Sequence, residues 1–406
     1  MSVPTLTNVG GLYRLKWDDE QIVILMERLY EDSHYQVTCE IQINTTAHGS
    51  PSHIHGGSRL NLTSSEARRR LAKYLGEDVL PNNWTSMLEQ AAVMVLAEWR
   101  KGPPAIELAK HTPNAVMAMR VSPLLQERQA TVFYGEGDTL KSFMGLFLAV
   151  LVRSGESQAG LKPEAGNVLY LDYETDEDTM WRRTEMIAQG MGIAGIPEGI
   201  YYRYMHQPLA ADSQQINRLI LDLGIEFVIV DSAAPAVLEP ESASMTTEYF
   251  RALRGLRTTS LTIAHVAKNA KEASPFGSTF WRNLPRANFR VTADRDSEHV
   301  TIGLKHTKSN NGHRLRDLGF IFEFDPEGDR VVISSKNLAD VPSLARGLPP
   351  SEQITSALSR GALPLQAIYN LLPDVSQTII STTLSRRKDL FRQVSHGVWG
   401  LVARGD

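Results

Sequence analysis

The sequence predicts an α/β protein built on a mainly parallel sheet, and three observations carry that prediction. The first is the stretch TVFYGEGDTLKS at 131–142, followed by a long apolar run to 153. It reads as buried strand, glycine loop and apolar helix in succession. The second is a pair of apolar runs ending in acid, NVLYLDYET at 167–175 and IEFVIVDS at 225–232. The third is alternation: strand patterns at 131–134, 167–171, 226–230 and 260–264 interleave with helix patterns at 143–153, 176–190 and 214–223. Such alternation puts helices on both faces of a parallel sheet.

The loop's residue types point to phosphate. Gly135, Glu136, Gly137, Asp138, Thr139, Leu140, Lys141 and Ser142 lie between the strand and a helix opened by Phe143. Glycines let backbone N–H groups turn inward onto phosphate oxygens, and the helix N-terminus adds partial positive charge. In that setting Lys141 reaches the β- and γ-phosphates of ATP, and the Ser142 hydroxyl sits on Mg²⁺. Leu140 stands where the usual pattern has a second glycine. Asp231, ending its buried strand, is placed to hold Mg²⁺ through water. A glycine turn before a core helix, or a strand ending in Asp for turn reasons, would explain any one of these segments. Their combination and order point to a nucleotide site.

Composition sets the bounds. At 406 residues the chain has room for two or three domains. A formal net charge of −4 excludes a wholly basic surface, so contact with nucleic acid must be local. Its single cysteine, Cys39, excludes an internal disulfide and fits a reducing compartment. The sequence has no run of 18 apolar residues and no basic-then-apolar leader pattern, so the expectation is a cytoplasmic protein with no membrane partner.

Three segments follow from the patterning. Residues 1–105 read as a small α+β domain, with strands at 35–44 and 60–62 around a Gly/His/Ser loop. Helices at 64–75, opened by the capping box Thr63-Ser64-Ser65-Glu66, and at 84–99 complete it. His48, His53 and His55 read as polar loop residues, with metal binding the less favoured alternative. Arg68, Arg69, Arg70 and Lys73 read as a solvated helix face rather than a phosphate patch. Residues 111–340 form the α/β core, extended by strands at 287–292, 299–305, 319–324 and 330–334. After a bridge at 341–350, residues 351–406 give helices at 351–360, 364–372 and 375–388, then a hairpin at 390–402 turning at His396-Gly397. Three helices and a wing read as a winged helix-turn-helix, the alternative being a small helical cap for oligomer contacts. Arg386, Arg387 and Lys388 are its nucleic-acid candidates.

The middle segment resembles the RecA-like P-loop ATPases, most closely the RepA-type branch related to the DnaB-like hexameric helicases of phages and plasmids. Leu140-Lys141-Ser142-Phe143 is similar to that branch's loop, where a bulky residue precedes the lysine. The resemblance implies that Glu174 activates the attacking water and that Asp231, in its Asp231-Ser232-x-x-Pro235 context, is the Mg²⁺-linked aspartate. It makes His265 the sensor of the γ-phosphate, followed by Lys268. Gly277, Ser278 and Arg286 resemble a stretch whose arginine acts in trans on the neighbouring subunit's nucleotide; Arg282 and Arg290 lie close enough to be alternatives. Lys305 and Lys308 resemble a DnaB-like hairpin with further trans-acting groups, though Asn310 stands where that pattern has its arginine.

These residues imply an ATP-hydrolysing motor on nucleic acid: a homo-oligomer, expected as a hexameric ring, acting as a DNA helicase or single-strand translocase. The loop holding Lys268 and Lys271, with Phe276 and Phe280 for stacking, suits a channel that tracks a phosphate backbone. Two alternatives share the ATPase: a RecA-like recombination filament or mediator, and an initiator or regulator whose ATP controls assembly on duplex DNA.

Overall fold

The computed structural model describes residues 2–46, 53–78, 83–102, 105, 107–110, 117–266, 275, 277–296 and 299–402. Two compact units emerge. One comprises Met1–Met117, Leu209–Ile225 and Gly255–Arg257, the other Ala118–Pro208, Glu226–Arg254 and Thr258–Asp406.

The first unit holds a five-stranded antiparallel meander, β1 (Thr5–Val9), β2 (Leu12–Trp17), β3 (Ile22–Glu31), β4 (Val37–Thr45) and β5 (His53–Asn61). Period-two patterning makes β4 legible: Val37, Cys39, Ile41 and Ile43 are buried while their neighbours are partly exposed. The first three strands escaped the sequence reading. Helices α1 (Ser65–Asp78) and α2 (Trp84–Lys101) share a core with the sheet around Trp17, Trp84, Met87 and Leu88. The histidines depart from expectation. His53 and His55 stand on β5 rather than in a loop, bonded to Asn44 and Ser58 at 2.8 and 2.6 Å. Cross-strand pairing with β4 draws them into the ladder. No cluster of three potential ligands occurs among the described residues, and His48 lies outside them. Arg68 also differs from a solvated residue: it is forked onto Glu89 at 3.0 and 2.8 Å. The helix Leu209–Leu223, expected within the α/β core, clusters with this unit through Asn217, which donates to the Gly10 carbonyl, and Arg218, paired with Glu27.

The second unit is organised by a nine-stranded sheet. Continuing along the chain, the elements are β6 (Met119–Ser122), β7 (Leu125–Gln126), β8 (Ala130–Gly135), α3 (Lys141–Ser154), β9 (Lys162–Pro163), β10 (Asn167–Asp172), α4 (Glu177–Gly190), β11 (Ile200–Tyr204), then α5 (Leu209–Leu223), which belongs to the first unit, and again in the second unit β12 (Ile225–Asp231), α6 (Ala233–Ala236), α7 (Ala243–Gly255), β13 (Thr259–His265), α8 (Phe280–Asn283), β14 (Ala287–Arg295), β15 (His299–Ser309), β16 (Leu318–Phe324) and β17 (Val331–Ser335). The order across the sheet is β11-β10-β12-β13-β8-β14-β15-β16-β17. Strands β13, β8 and β14 run parallel, and β14 to β17 form consecutive antiparallel pairs. This is a large, mostly parallel sheet with an antiparallel extension. All six residues of β8 are buried, and from Met144 to Val152 so is α3, which explains why both read as unbroken apolar runs. The helix stops where Gly155 turns left-handed, its N–H donating to the Leu151 carbonyl at 2.9 Å.

Residues after 341 add α9 (Pro342–Ala345), α10 (Pro350–Ala357), β18 (Leu363–Pro364), α11 (Leu365–Leu371), α12 (Gln377–Arg386), β19 (Phe391–Ser395) and β20 (Val398–Leu401). The last three strands make a sheet in the order β18-β20-β19 over a core of Ile354, Ile368, Ile380, Leu384 and Phe391. No helix among the described residues is long and apolar enough to cross a membrane.

Candidate nucleotide site

Parallel register collects the site on one edge of the sheet. His265 pairs with Gly135, Asp231 pairs with Ile263, and the Tyr173 N–H donates to the Asp231 carbonyl at 2.7 Å. The strand ends carrying Gly135, Asp172, Asp231 and His265 therefore open onto the same crevice, where open α/β sheets bind ligands.

The loop is shaped by backbone geometry. Asp138 and Leu140 both take positive φ, 57° and 54°. Alternation of left- and right-handed residues points successive N–H groups into one concavity, which suits an anion. Leu140 occupies, in left-handed conformation, the position where the common pattern has glycine, so the backbone keeps the pattern that the side chain departs from. Gly135 is required for a different reason. A Cβ there would lie 2.4 Å from the Val291 carbonyl oxygen of neighbouring β14. Gly135→Ala is therefore expected to lower stability by about 1–3 kcal/mol, read as a fall in thermal midpoint; an unchanged midpoint would mean that β14 yields at no cost.

Lys141 is buried and folded onto the loop. Its ammonium donates to the carbonyls of Gly135 and Glu136 at 3.2 and 2.5 Å and to Thr139 Oγ1 at 3.1 Å. Burial pushes its pKa down, while Asp231, Glu174, Asp138 and Glu136 oppose that shift.

Asp231 is nearly enclosed. Tyr170 donates its hydroxyl to Oδ2 at 2.6 Å, and Oδ1 is buried without a hydrogen-bond partner. Burial raises the carboxyl's pKa, and the hydroxyls of Tyr170 and Ser142 act against it. An unpaired carboxylate oxygen beside a serine hydroxyl is a hard-oxygen donor set that fits Mg²⁺, which keeps most of its waters and takes few protein ligands. Ser142 and Asp231 would hold that ion, which supplies charge neutralisation on the phosphates when bound.

Glu174 stands across the crevice, held by groups that keep it ionised. Ser232 Oγ donates to Oε1, and His265 Nε2 lies 3.7 Å from the same oxygen. His265 lowers its pKa most, with Ser232 and Lys141 assisting against burial. Asp172, which is not among the residues the sequence points to, positions this turn. Its Oδ1 accepts from the N–H groups of Glu174 and Thr175 at 3.0 and 3.2 Å, and its Oδ2 from Thr175 and Tyr202 at 2.6 and 3.0 Å. The signal was present as Asp-x-Glu-Thr, a side-chain turn after a strand.

The remaining candidates lie elsewhere. Arg286 is exposed just before β14, where Ala287 pairs with Thr131, at the opposite end of β8 from the loop. Four residue steps along these strands put it on the order of 15 Å from its own loop. With Arg128 and Arg254 it lines a small crevice whose described lining includes no carboxylate. Lys308 is drawn in beside it, donating to the Asn283 and Pro285 carbonyls at 2.6 and 2.5 Å, its pKa lowered by burial and by Arg286 and Arg282. Lys305 donates to the Gly347 carbonyl at 3.0 Å. Both lysine ammoniums are thus engaged within their own chain. Lys268, Lys271 and Phe276 lie outside the described residues. In the C-terminal segment Arg387 is forked onto Asp389 at 2.9 and 2.7 Å, while Arg386 and Lys388 are exposed.

Residues 106–271 match the model of a family described as an AAA domain. That span takes in the loop, Glu174, Asp231 and His265 and stops short of Arg286. No curated protein matches the chain. Among solved structures, a KaiC-like protein of the hyperthermophilic archaeon Pyrococcus horikoshii is similar at 12% identity, covering 53% of this chain and 94% of that one with a TM-score of 0.38. The family match and the loop geometry fall on the same residues, and together they make the centre of this chain a P-loop ATPase core.

Proposed function

We propose that this ATPase is a motor on nucleic acid, a RecA-like ring of the RepA-type and DnaB-like branch that translocates on or unwinds DNA. One observation carries the reading furthest: the loop with its acidic partners and a crevice lined by three arginines stand at opposite ends of β8. At one end Lys141, Ser142, Glu174 and Asp231 converge; at the other, Arg254 and Arg286 line a crevice with Arg128, which lies 4.0 Å from Glu127. That separation suits nucleotide sites completed between subunits, with Arg286 reaching the phosphates of the next copy. Hydrolysis then depends on assembly and drives one subunit against another.

In this reading Lys141 neutralises the β- and γ-phosphates, Glu174 orients the attacking water, and His265 reports on the γ-phosphate through its contact with Glu174. The order α10-β18-α11-α12-β19-β20 supports a winged helix, with α12 and the β19–β20 hairpin as the nucleic-acid face. Ser381, on α12, shares a hydrogen bond of 2.6 Å with Tyr369, so its hydroxyl is already engaged within the segment. Binding should rest on phosphate contacts.

With Arg387 held by Asp389, the exposed cations of α12 and the hairpin that form no ion pair with a described residue are Arg386, Lys388 and Arg392. Their log–log salt slope on duplex DNA should be roughly −3. Arg386→Ala with Lys388→Ala should flatten that slope by about 2 while basal ATP hydrolysis is retained. An unchanged slope would remove the C-terminal segment from DNA binding. Electron microscopy with a non-hydrolysable ATP analogue and single-stranded DNA tests the assembly: closed rings are expected, and a helical filament would favour a recombination protein instead.

A further inference from the structure

We propose that Arg295 is a charge-stabilising cation for phosphoryl transfer, supplied in cis by the same chain that holds the loop. The inference deepens the ATPase reading and rests on it. Strand β14 runs parallel to β8, with Val291 beside Gly135, and continues four residues beyond that point. Its last residue, Arg295, therefore arrives alongside the loop. Its Nη2 donates to the Asp138 carbonyl at 2.5 Å, in the middle of the left-handed turn.

Two anchors fix the strand end. Arg295 pairs with Val300 across the hairpin, and Asp294 accepts from Ser343 Oγ at 2.6 Å. The guanidinium is exposed, and no ion pair joins it to a described carboxylate. One of its five N–H donors serves the loop, which leaves donors for phosphate oxygens. Lys141 grips the loop's carbonyls at Gly135 and Glu136, and Arg295 grips Asp138, so two cations converge on one phosphate cradle. Arg286, at the other end of β14, cannot do this for its own loop.

In hydrolysis a water oxygen bonds to the γ-phosphorus while the bond to the bridging oxygen breaks. The electron pair leaves on ADP, and a water proton passes to Glu174. Negative charge grows on the bridging oxygen and the transferring group. A guanidinium resting on the loop's fourth residue stands beside the cradle that would hold both, and a cation there acts most on the transition state.

The test measures full-length Arg295→Ala and Arg295→Lys for kcat, KM and affinity for a non-hydrolysable ATP analogue and for ADP with aluminium fluoride. Arg295→Ala should lower kcat by about a hundredfold or more and weaken ADP–aluminium fluoride by a similar factor. Affinity for the ground-state analogue should stay within about threefold, and Arg295→Lys should recover part of the rate. Equal weakening of both analogues would make Arg295 only a brace for the Asp138 turn and overturn the proposal, as would normal hydrolysis by Arg295→Ala. Lys141→Ala separates the levels: if it abolishes hydrolysis while Arg295→Ala does not, the ATPase reading stands and this one falls. Mixing Arg295→Ala with Glu174→Gln subunits should restore nothing, because both groups serve one loop. Recovery in that mixture would place Arg295 in trans and contradict the assignment. The mixture of Arg286→Ala with Glu174→Gln should recover activity.

Discussion

Glu174→Gln is expected to bind ATP with nearly normal affinity and to hydrolyse it at least about a hundredfold more slowly. The amide keeps the shape of the carboxylate and can still meet Ser232, so the crevice should hold its form. What it loses is the negative charge that, in the proposed role, attracts and deprotonates water. His265, Ser232 and Lys141 hold the native carboxyl below its ordinary range, so it is ionised throughout the neutral region. The sign is clear. Activity carried by an ionised Glu174 is present above its lowered pKa and lost as pH falls through it, on the acid side of the usual glutamate range. Steady-state turnover and fluorescent-nucleotide binding on one preparation check both halves. Normal turnover in Glu174→Gln would move the catalytic base elsewhere.

Lys141→Ala should have the larger effect on binding. The ammonium is the buried cation of the loop, and removing it leaves the Gly135 and Glu136 carbonyls without their donor. A charge-assisted contact of this kind contributes about 1.5–3 kcal/mol, so nucleotide affinity should fall by roughly one to two orders of magnitude. Hydrolysis should become undetectable, since in the proposed site the same cation neutralises the transferring phosphate. Isothermal titration with an ATP analogue measures the first, and phosphate release the second. Retained affinity would mean that the phosphates do not lie along this loop.

Much of this site was legible because its chemistry sits in local sequence. A strand, a glycine-bearing loop and a lysine–serine pair are contiguous at 131–142, and Asp231 ends an unbroken apolar run. Leu140 was the one ambiguous residue, and the backbone resolves it: the left-handed conformation is present without the glycine. Asp172 was readable in principle as a turn-forming side chain, but Glu174 two residues on drew the functional interpretation. Arg295 was not readable. Its importance comes from β14 lying beside β8, a pairing between residues about 150 positions apart that no local pattern announces. The same limit explains β1 to β3, where β3 is buried on both faces near its start and lacks the alternation that marked β4. It also explains the helix Leu209–Leu223, whose amphipathic pattern fixed a helix but not its partner.

Gly135 to Ser142, with Glu174 and Asp231, are expected to form a Mg²⁺-dependent ATP-hydrolysing site. It is tested most directly by phosphate release from ATP by the purified full-length chain, with Mg²⁺ and with the metal chelated, beside Glu174→Gln at equal concentration. Turnover is expected in Mg²⁺, abolished by chelation and lowered by about a hundredfold or more in Glu174→Gln. Hydrolysis that persists without the metal, or that Glu174→Gln supports at the native rate, would contradict it.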